Sequence, residues 1–231
     1  MNTHRMEART FGIFFIITFL AYGIGSSLIE SLGTGPDFLS NVYDNQTLVV
    51  VGAILMALVH TVLNIGMPVI LLPILKQYNE RLAYGYLSAA IAATVTLLVG
   101  ALLLLLLIPL SDEFVMAGSA AAPYFGTMGI VLKIGSVFAY HLGMALWAIG
   151  GVMFVSVLYK SKLIPRPLSV WGIIGYIVLL SGSILEMVGH NNLVEIISVA
   201  PGGLFEITLS IWLIAKGFSS SAIASRTAKQ D

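Results

Sequence analysis

Six long runs of apolar residues, separated by short polar segments, dominate the chain. The runs cover approximately residues 10–31, 47–75, 83–110, 125–159, 168–189 and 194–217. Each run contains the roughly 20 mostly apolar residues that a helix needs to cross a bilayer. The runs are continuously apolar and do not alternate, which excludes the strands of a membrane β-barrel. The pattern predicts an all-α, polytopic membrane protein with six transmembrane helices in one integral membrane domain over residues 1–231.

The composition supports this class and excludes several others. Of the 231 residues, 58% are hydrophobic and 10% are charged, whereas soluble domains contain about 25% charged residues. The formal net charge is +0, so we expect membrane lipids as partners and no nucleic acid. The chain has no cysteine, which excludes disulfides, thiolate metal sites and cysteine nucleophiles. It also lacks the Walker loop and the GxGxxG, HExxH and GxSxG motifs.

Charged residues between the runs segregate by side. If there are six spans, ten of the eleven basic residues fall on one side: Arg5, Arg9, Lys76, Arg81, Lys160, Lys162, Arg166, Lys216, Arg226 and Lys229. Only Lys133 does not, and its long stem suits an interfacial position. The opposite side collects Asp37, Asp44, Asp112, Glu113 and Glu195. Because Lys and Arg mark cytoplasmic loops, both termini are predicted in the cytoplasm of a multi-pass cell-membrane protein. The N-terminus and the tail, residues 218–231, are predicted to be short disordered ends.

Three stretches carry a family pattern. They are ILKQYNERLA at 74–83, LYKSKLIPRPLSVWGIIGY at 158–176 and GLFEITLSIWLIAKG at 203–217. Together they resemble an uncharacterised family of multi-pass membrane proteins, the domain of unknown function 4386. The resemblance covers most of the chain and implies six spans in a bacterial or archaeal cell membrane. It implies no activity and no cofactor.

The resemblance also bears on individual residues. Glu206 falls on the acidic position that relatives have just before the Leu-Trp-Leu of the last helix. Asn64 stands where relatives often have an aspartate. An arginine and a glutamate of the third span are missing around residues 88–91. His60 and His141 match no family position, so the resemblance implies a site that differs from that of the relatives.

Several polar side chains fall inside the apolar runs, where a charge costs on the order of 2.5–3.5 kcal/mol. Counting 1.5 Å per residue from the basic flanks, Glu206 and Asn64 lie about 15 and 18 Å deep. His60 and His141 lie about 24 and 28 Å from their flanks. His60 and Asn64 share a helix face because they are four residues apart. These four side chains are the predicted ligand- or proton-binding set.

A second set predicts a metal site that opens outward. His60, His141 and Glu186 supply two histidines and a carboxylate, a combination that can hold zinc and activate water. A variant places haem between the two histidines. Each group also has a structural interpretation, since a membrane histidine often makes one interhelical hydrogen bond. Glu30 and Glu186 lie near helix ends and can reach outside water. Glu206 lies well inside its span and needs a partner or a proton.

The last run contains a local break signal, Pro201-Gly202-Gly203. Proline suits the first turn of a helix, and two glycines after it do not favour a continuous helix. The signal predicts a short outer helix or loop at 192–200, with His190 and Glu195 near the outer surface. The span proper then begins near 201, one turn or so before Glu206. Alternatively, the proline marks an ordinary start of the last span.

Three functions stay open. The first is a small-solute or proton transporter, or a ligand-binding membrane protein, in which Glu206 or a histidine exchanges protons. A discontinuous last span and a faint likeness between the hairpins of spans 2–3 and 4–5 favour it. Six spans are few for a secondary transporter, so we expect a homo-oligomer. The small-molecule ligand is not identified by any motif.

The second function is a membrane-embedded metal-dependent enzyme or haem protein that uses His60 and His141. The third is an accessory or structural membrane protein in which every polar group makes a structural hydrogen bond. A bound metal would support the second function. A wet cavity that reaches Glu206 would support the first, and complete pairing in a dry core would support the third.

Overall fold

The computed structural model describes residues 3–117, 122–189 and 192–227, and every element in these ranges is helical. The helices are α1 (Thr3–Glu30), α2 (Phe38–Asp44), α3 (Gln46–Ile54), α4 (His60–Tyr78), α5 (Glu80–Leu105), α6 (Leu107–Ala117), α7 (Ala122–Ser161), α8 (Arg166–Val188), α9 (Asn192–Ala215) and α10 (Ser220–Thr227). A π-helical turn, Leu55–Val59, joins α3 to α4.

Six helical stretches in the described part of the chain are long and apolar enough to cross a membrane. They are His4–Glu30, Gln46–Tyr78, Glu80–Ala117, Pro123–Ser161, Arg166–Val188 and Ile196–Ala215. Each overlaps one of the six apolar runs of the sequence. The predicted all-α, six-span fold is therefore confirmed.

The helices form two compact units, each with its own hydrophobic core. The first unit comprises Met1–Ile17, Leu63–Thr94 and His141–Asp231, and the second comprises Thr18–Val62 and Val95–Tyr140. The core of the first is rich in aromatic side chains, among them Phe11, Tyr86 and Phe154. The core of the second is mainly aliphatic, with Val42 and Leu107 fully buried. The candidate site described below lies in the first unit.

The second span is irregular at several points. The amide of His60 bonds to the carbonyl of Leu55, five residues earlier, and so closes the π turn. Such turns hold one residue more than an α turn and are often found at functional sites. Pro68 and Pro73 lie inside α4, where each lacks the amide hydrogen of the helical ladder. The sequence analysis did not predict the π turn.

The third span is interrupted once, between α5 and α6. Pro109 has no amide hydrogen to give to the carbonyl of Leu105, where α5 ends. The neighbouring bonds persist, because the Leu106 amide donates to Leu102 at 3.1 Å and the Leu110 amide donates to Leu106 at 3.3 Å. The interruption therefore costs little and the span continues to Ala117.

The predicted break in the last span is wrong. The helix α9 continues through Pro201 without interruption. The indole Nε1 of Trp171 on α8 donates a hydrogen bond to the carbonyl of Pro201 at 3.1 Å. The two helices pack so closely that a Cβ added to Gly175 would lie 3.0 Å from the Cα of Gly202. This packing holds a helix where the local sequence alone favours an end.

Two consequences follow for the sequence predictions. Residues 192–200 belong to the same helix as the rest of the span and are not a separate segment. Glu206 lies in the interior of α9, so it gains nothing from a helix N-terminus nearby. His190 and the side chain of Glu195 lie outside the described residues, and their surface position stays a prediction.

The two predicted disordered ends also contain helix. The first helix begins at Thr3, and Ala8 is fully buried. After the last span, α10 packs on the first unit, with Ala222 buried and Ile223 against the core. The hydroxyl of Tyr78 donates to the carbonyl of Ala222 at 3.2 Å. Tertiary contacts stabilise a short polar helix that its sequence does not favour on its own.

Candidate functional site

The carboxyl group of Glu206 lies in the core of the first unit, with 5% of the residue exposed. Two aromatic donors bind it. The indole Nε1 of Trp147 and the hydroxyl of Tyr176 each donate to its Oε1 atom at 2.8 Å. The three residues come from α7, α8 and α9. One carboxylate oxygen therefore connects three spanning helices.

Aromatic rings surround the two donors. The ring of Tyr176 meets Phe205 edge-on at 5.8 Å, and Trp147 meets Phe15 edge-on at 6.0 Å. Tyr86 lies 6.3 Å from Trp147, and its ring is almost completely buried. Edge-to-face pairs of this kind add to the energy of burial and fix ring orientation. The donors are thus held in place by packing before any ligand or proton arrives.

Gly151 makes room for Tyr176. A Cβ at this position would lie 2.5 Å from the Cε1 and Cζ atoms of the tyrosine ring. Gly151 is four residues after Trp147, so both lie on one face of α7. The absence of a side chain lets the tyrosine ring pack directly against α7. The same contact directs its hydroxyl to Glu206.

No cation balances the carboxyl of Glu206 within the described ranges. The ion-pair contact that the structure shows joins His4 and Glu7 and does not involve Glu206. A buried carboxylate without a cation is costly, and hydrogen-bond donors offset part of that cost. The protonated acid can accept the same two bonds on Oε1 and carry its proton on Oε2. The arrangement can therefore serve both forms of the carboxyl.

Asn64 has a different set of partners. Its Nδ2 donates to the hydroxyl of Thr94 at 2.9 Å, and that hydroxyl donates to the carbonyl of Ala90 at 2.7 Å. Asn64 and Thr94 are both buried. The chain of bonds links α4 to α5 and does not include Glu206. This pairing fits the structural interpretation of Asn64.

The two candidate histidines are both buried. His60 belongs to the second unit, where its ring meets Tyr22 at 5.2 Å in an edge contact. Its Nδ1 atom is buried and has no hydrogen-bond partner among the described residues. Unsatisfied buried atoms of this kind are uncommon in native proteins. His141 is 5% exposed and belongs to the first unit.

The predicted metal set gains no support from the structure. Within the described ranges, no group of three or more histidine, aspartate or glutamate side chains is placed to hold a metal ion. Glu186 is half-buried, and its Oε1 atom has no described partner. Glu30 is exposed and accepts a bond from Ser26 at 2.6 Å, as a carboxylate near a helix end would. Metal binding by His60, His141 and Glu186 stays a prediction.

The partners of Glu206 were not predicted from the sequence. Neither Trp147 nor Tyr176 belongs to a predicted site, although a buried indole or phenol in a span usually needs a hydrogen-bond acceptor. Glu206 is the acidic side chain furthest from the ends of the predicted spans. The need of a buried indole or phenol for an acceptor could therefore have indicated Trp147 and Tyr176 as its partners.

Lys133, predicted to be interfacial, donates to the carbonyl of Gly33 at 3.0 Å and lies over the ring of Phe38.

Comparison with known proteins gives a family and no activity. The model of the domain of unknown function DUF4386 matches residues 10–217. This match confirms the resemblance that the three sequence stretches indicate. No curated protein and no solved structure matches the chain. With most of its length matched, the chain belongs to the family of the domain of unknown function DUF4386.

Proposed function

We propose that this membrane protein moves protons, or a small solute together with protons, across the membrane. Glu206 is the group that takes up and releases the proton. One observation carries the proposal: a carboxyl buried in a spanning helix has two donors on one oxygen and no cation paired with it in the described residues. A proton is the simplest counter-ion for such a group.

The energies of the two forms support a reversible site. An acidic charge at mid-membrane costs on the order of 2.5–3.5 kcal/mol on insertion scales. A hydrogen bond to a charged group contributes about 1.5–3 kcal/mol, and Glu206 accepts two from side chains. Cost and gain are of similar size. Neither form of the carboxyl is therefore out of reach, as repeated proton uptake and release requires.

The position of the site supports coupling between the proton and the helices. Oε1 connects α7, α8 and α9, so a change in its charge changes the strength of bonds to two neighbouring helices. Transporters that work by alternating access need a site of this kind at a helix interface. The same bonds weaken when the carboxyl takes up a proton, so proton uptake would loosen the packing of the three helices and proton release would tighten it.

Flux in liposomes tests the proposal. Purified protein is reconstituted with a pH-sensitive dye inside, and a pH gradient is imposed with and without a panel of small solutes. We expect wild-type liposomes to move protons faster than empty ones and the Glu206→Gln variant to move none. Glu30→Gln is the matched control, because Glu30 is also a span glutamate but is exposed. It should behave as wild type.

Two results would count against the proposal. Wild-type liposomes that match empty ones under all solutes would rule out transport. Equal flux in wild type and Glu206→Gln would leave transport in place but remove Glu206 from it. Circular dichroism and gel filtration of each variant establish that it is folded before flux is compared.

A second candidate function has one observation in its favour. Asn64 and Glu206 are both paired inside a packed core, as in an accessory membrane protein without a small-molecule site. A cavity of about 650 Å³ in the same unit is lined by residues other than these two. Under this alternative, Glu206→Gln lowers the free energy of unfolding and leaves the accessory function of the protein unchanged.

The location and orientation belong to the same proposal. Ten basic residues on one predicted side favour cytoplasmic termini in a cell membrane. Association into a homo-oligomer stays a prediction that follows from the small number of spans.

A further inference from the structure

A cavity of about 650 Å³ opens in the first unit at the ends of three spans. Its walls include three basic side chains, two aromatic side chains and a serine: Lys162, Arg166, Lys216, Trp212, Phe218 and Ser219. This volume falls in the range of small-ligand pockets, roughly 300–1,000 Å³. The cavity does not include Glu206 and is separate from the site proposed above.

The positive charge of the cavity is uncompensated. Lys162, Arg166 and Lys216 are all exposed, and in the described part of the chain none of them is ion-paired with a carboxylate. No aspartate or glutamate is among the described residues that line the cavity. The guanidinium of Arg166 lies 5.4 Å from the ring centroid of Tyr159, which limits its movement. Three cations around one concave surface attract an anion.

The walls of the cavity are tied together by backbone bonds. The amide of Ser219 donates to the carbonyl of Leu163 at 2.9 Å and joins the two connecting segments. Lys162 has a φ of 57° and Gly217 a φ of 74°, so both segments turn sharply at a left-handed residue. Gly217 suits this conformation, whereas a lysine adopts it at a cost. The backbone that carries the basic side chains is thus part of a folded surface and not of a free tail.

The cavity lies at the level of the membrane surface. The spans on either side end at Ser161 and Ala215, and the span between them begins at Arg166. Trp212, half-buried on the cavity wall, is of the type that is enriched at the membrane interface. Phe218 is buried beside it. The cavity therefore combines cations with apolar surface at the ends of three spans.

We propose that this cavity binds the phosphate of an anionic phospholipid headgroup. Arg166 suits a bidentate contact with phosphate oxygens, and the two lysines add point charges. Basic pockets between spans on the cytoplasmic side bind such headgroups, and the sequence predicts that side for these residues. A soluble phosphate has the same anionic chemistry but gains nothing from the apolar wall of Trp212 and Phe218.

Native mass spectrometry of the detergent-purified protein tests the proposal by titration. The probes are phosphatidylglycerol, phosphatidylcholine and inorganic phosphate. The pocket variant is Arg166→Gln with Lys216→Gln, and the matched control is Arg81→Gln with Lys76→Gln. Lys76 and Arg81 are exposed and lie outside the cavity. We expect phosphatidylglycerol to bind wild type and control alike and to bind the pocket variant about tenfold more weakly.

Phosphatidylcholine should bind far more weakly than phosphatidylglycerol, because it carries no net charge. If the pocket variant and the control lost phosphatidylglycerol binding to the same extent, the proposal would be overturned, because the loss would then reflect overall positive charge and not the cavity. Binding of inorganic phosphate with the affinity of phosphatidylglycerol would overturn the lipid assignment in favour of a soluble phosphate. Melting temperatures without lipid, equal in all three proteins, exclude misfolding as the cause of lost binding.

Discussion

The ring of Tyr176 occupies the space that a side chain at Gly151 would need, with ring carbons 2.5 Å from the position of a Cβ. This contact lies directly beside the bond between the tyrosine hydroxyl and Glu206. Gly151 on α7 therefore determines how closely Tyr176 packs against that helix, and Tyr176 is the residue whose hydroxyl binds Glu206. The most direct test of the candidate site is a change at this glycine.

Gly151→Ala should destabilise the protein by about 1–3 kcal/mol, because the added methyl group overpacks a filled site. The measurement is thermal or denaturant unfolding in detergent. Gly203→Ala is the control, since nothing lies within 4 Å of a Cβ at that position. Alanine there should be neutral or stabilise α9 by up to about 1 kcal/mol. Equal losses in the two variants would contradict the packing described here.

Tyr176→Phe should change the vibration of the Glu206 carboxyl. Removing the hydroxyl takes one of two side-chain donors from Oε1, so the carbonyl stretch of the protonated acid should move to higher frequency. Infrared difference spectra against Glu206→Gln identify that band. Tyr84→Phe is the control, because Tyr84 is 46% exposed. A band that stays in place in Tyr176→Phe would mean that the hydroxyl does not bind the carboxyl.

Leucine at position 64 should cost more stability than leucine at position 60. Asn64→Leu removes a buried bond to Thr94, worth about 0.5–1.5 kcal/mol, while Thr94 keeps its bond to the carbonyl of Ala90. His60→Leu removes a ring whose Nδ1 has no described partner. Both variants should still insert into the membrane. A larger loss in His60→Leu would reveal a bond or ligand on that ring.

Single cysteines can test the predicted orientation, because the chain contains none. Asp37→Cys and Glu80→Cys both lie at exposed positions near span ends. With a membrane-impermeant maleimide on intact bacterial cells, Asp37→Cys should react and Glu80→Cys should react only after permeabilisation. The reverse pattern would place both termini outside.

The spans could be predicted because hydrophobicity and length are enough to identify a membrane helix. The irregularities within these spans could not be predicted from the sequence. Pro201 favours a helix start when it is considered locally, yet contacts with α8 keep α9 continuous. The helix α10 likewise depends on its contacts with the first unit. In each case tertiary packing outweighs a weak local preference.

The candidate site was predicted only in part, for a related reason. A carboxyl within an apolar run can be recognised from the sequence, and Glu206 was. The helices that lie beside Glu206 cannot be recognised in this way, because the sequence does not give the arrangement of the spans. Asn64 was therefore grouped with Glu206 by depth, whereas the structure pairs it with Thr94. Trp147 and Tyr176 became visible as partners only when α7, α8 and α9 were placed together.

The bond from Trp147 to Glu206 has a practical consequence. Of the three tryptophans in the chain, Trp147 donates to a carboxyl, whereas Trp171 donates to a backbone carbonyl. Indole emission responds to charge beside the ring. With phenylalanine at 171 and 212, the protein would carry a single tryptophan, hydrogen-bonded to its buried acid. Under the proposed function, a change in the protonation of Glu206 would then appear as a change in tryptophan emission, without any added label.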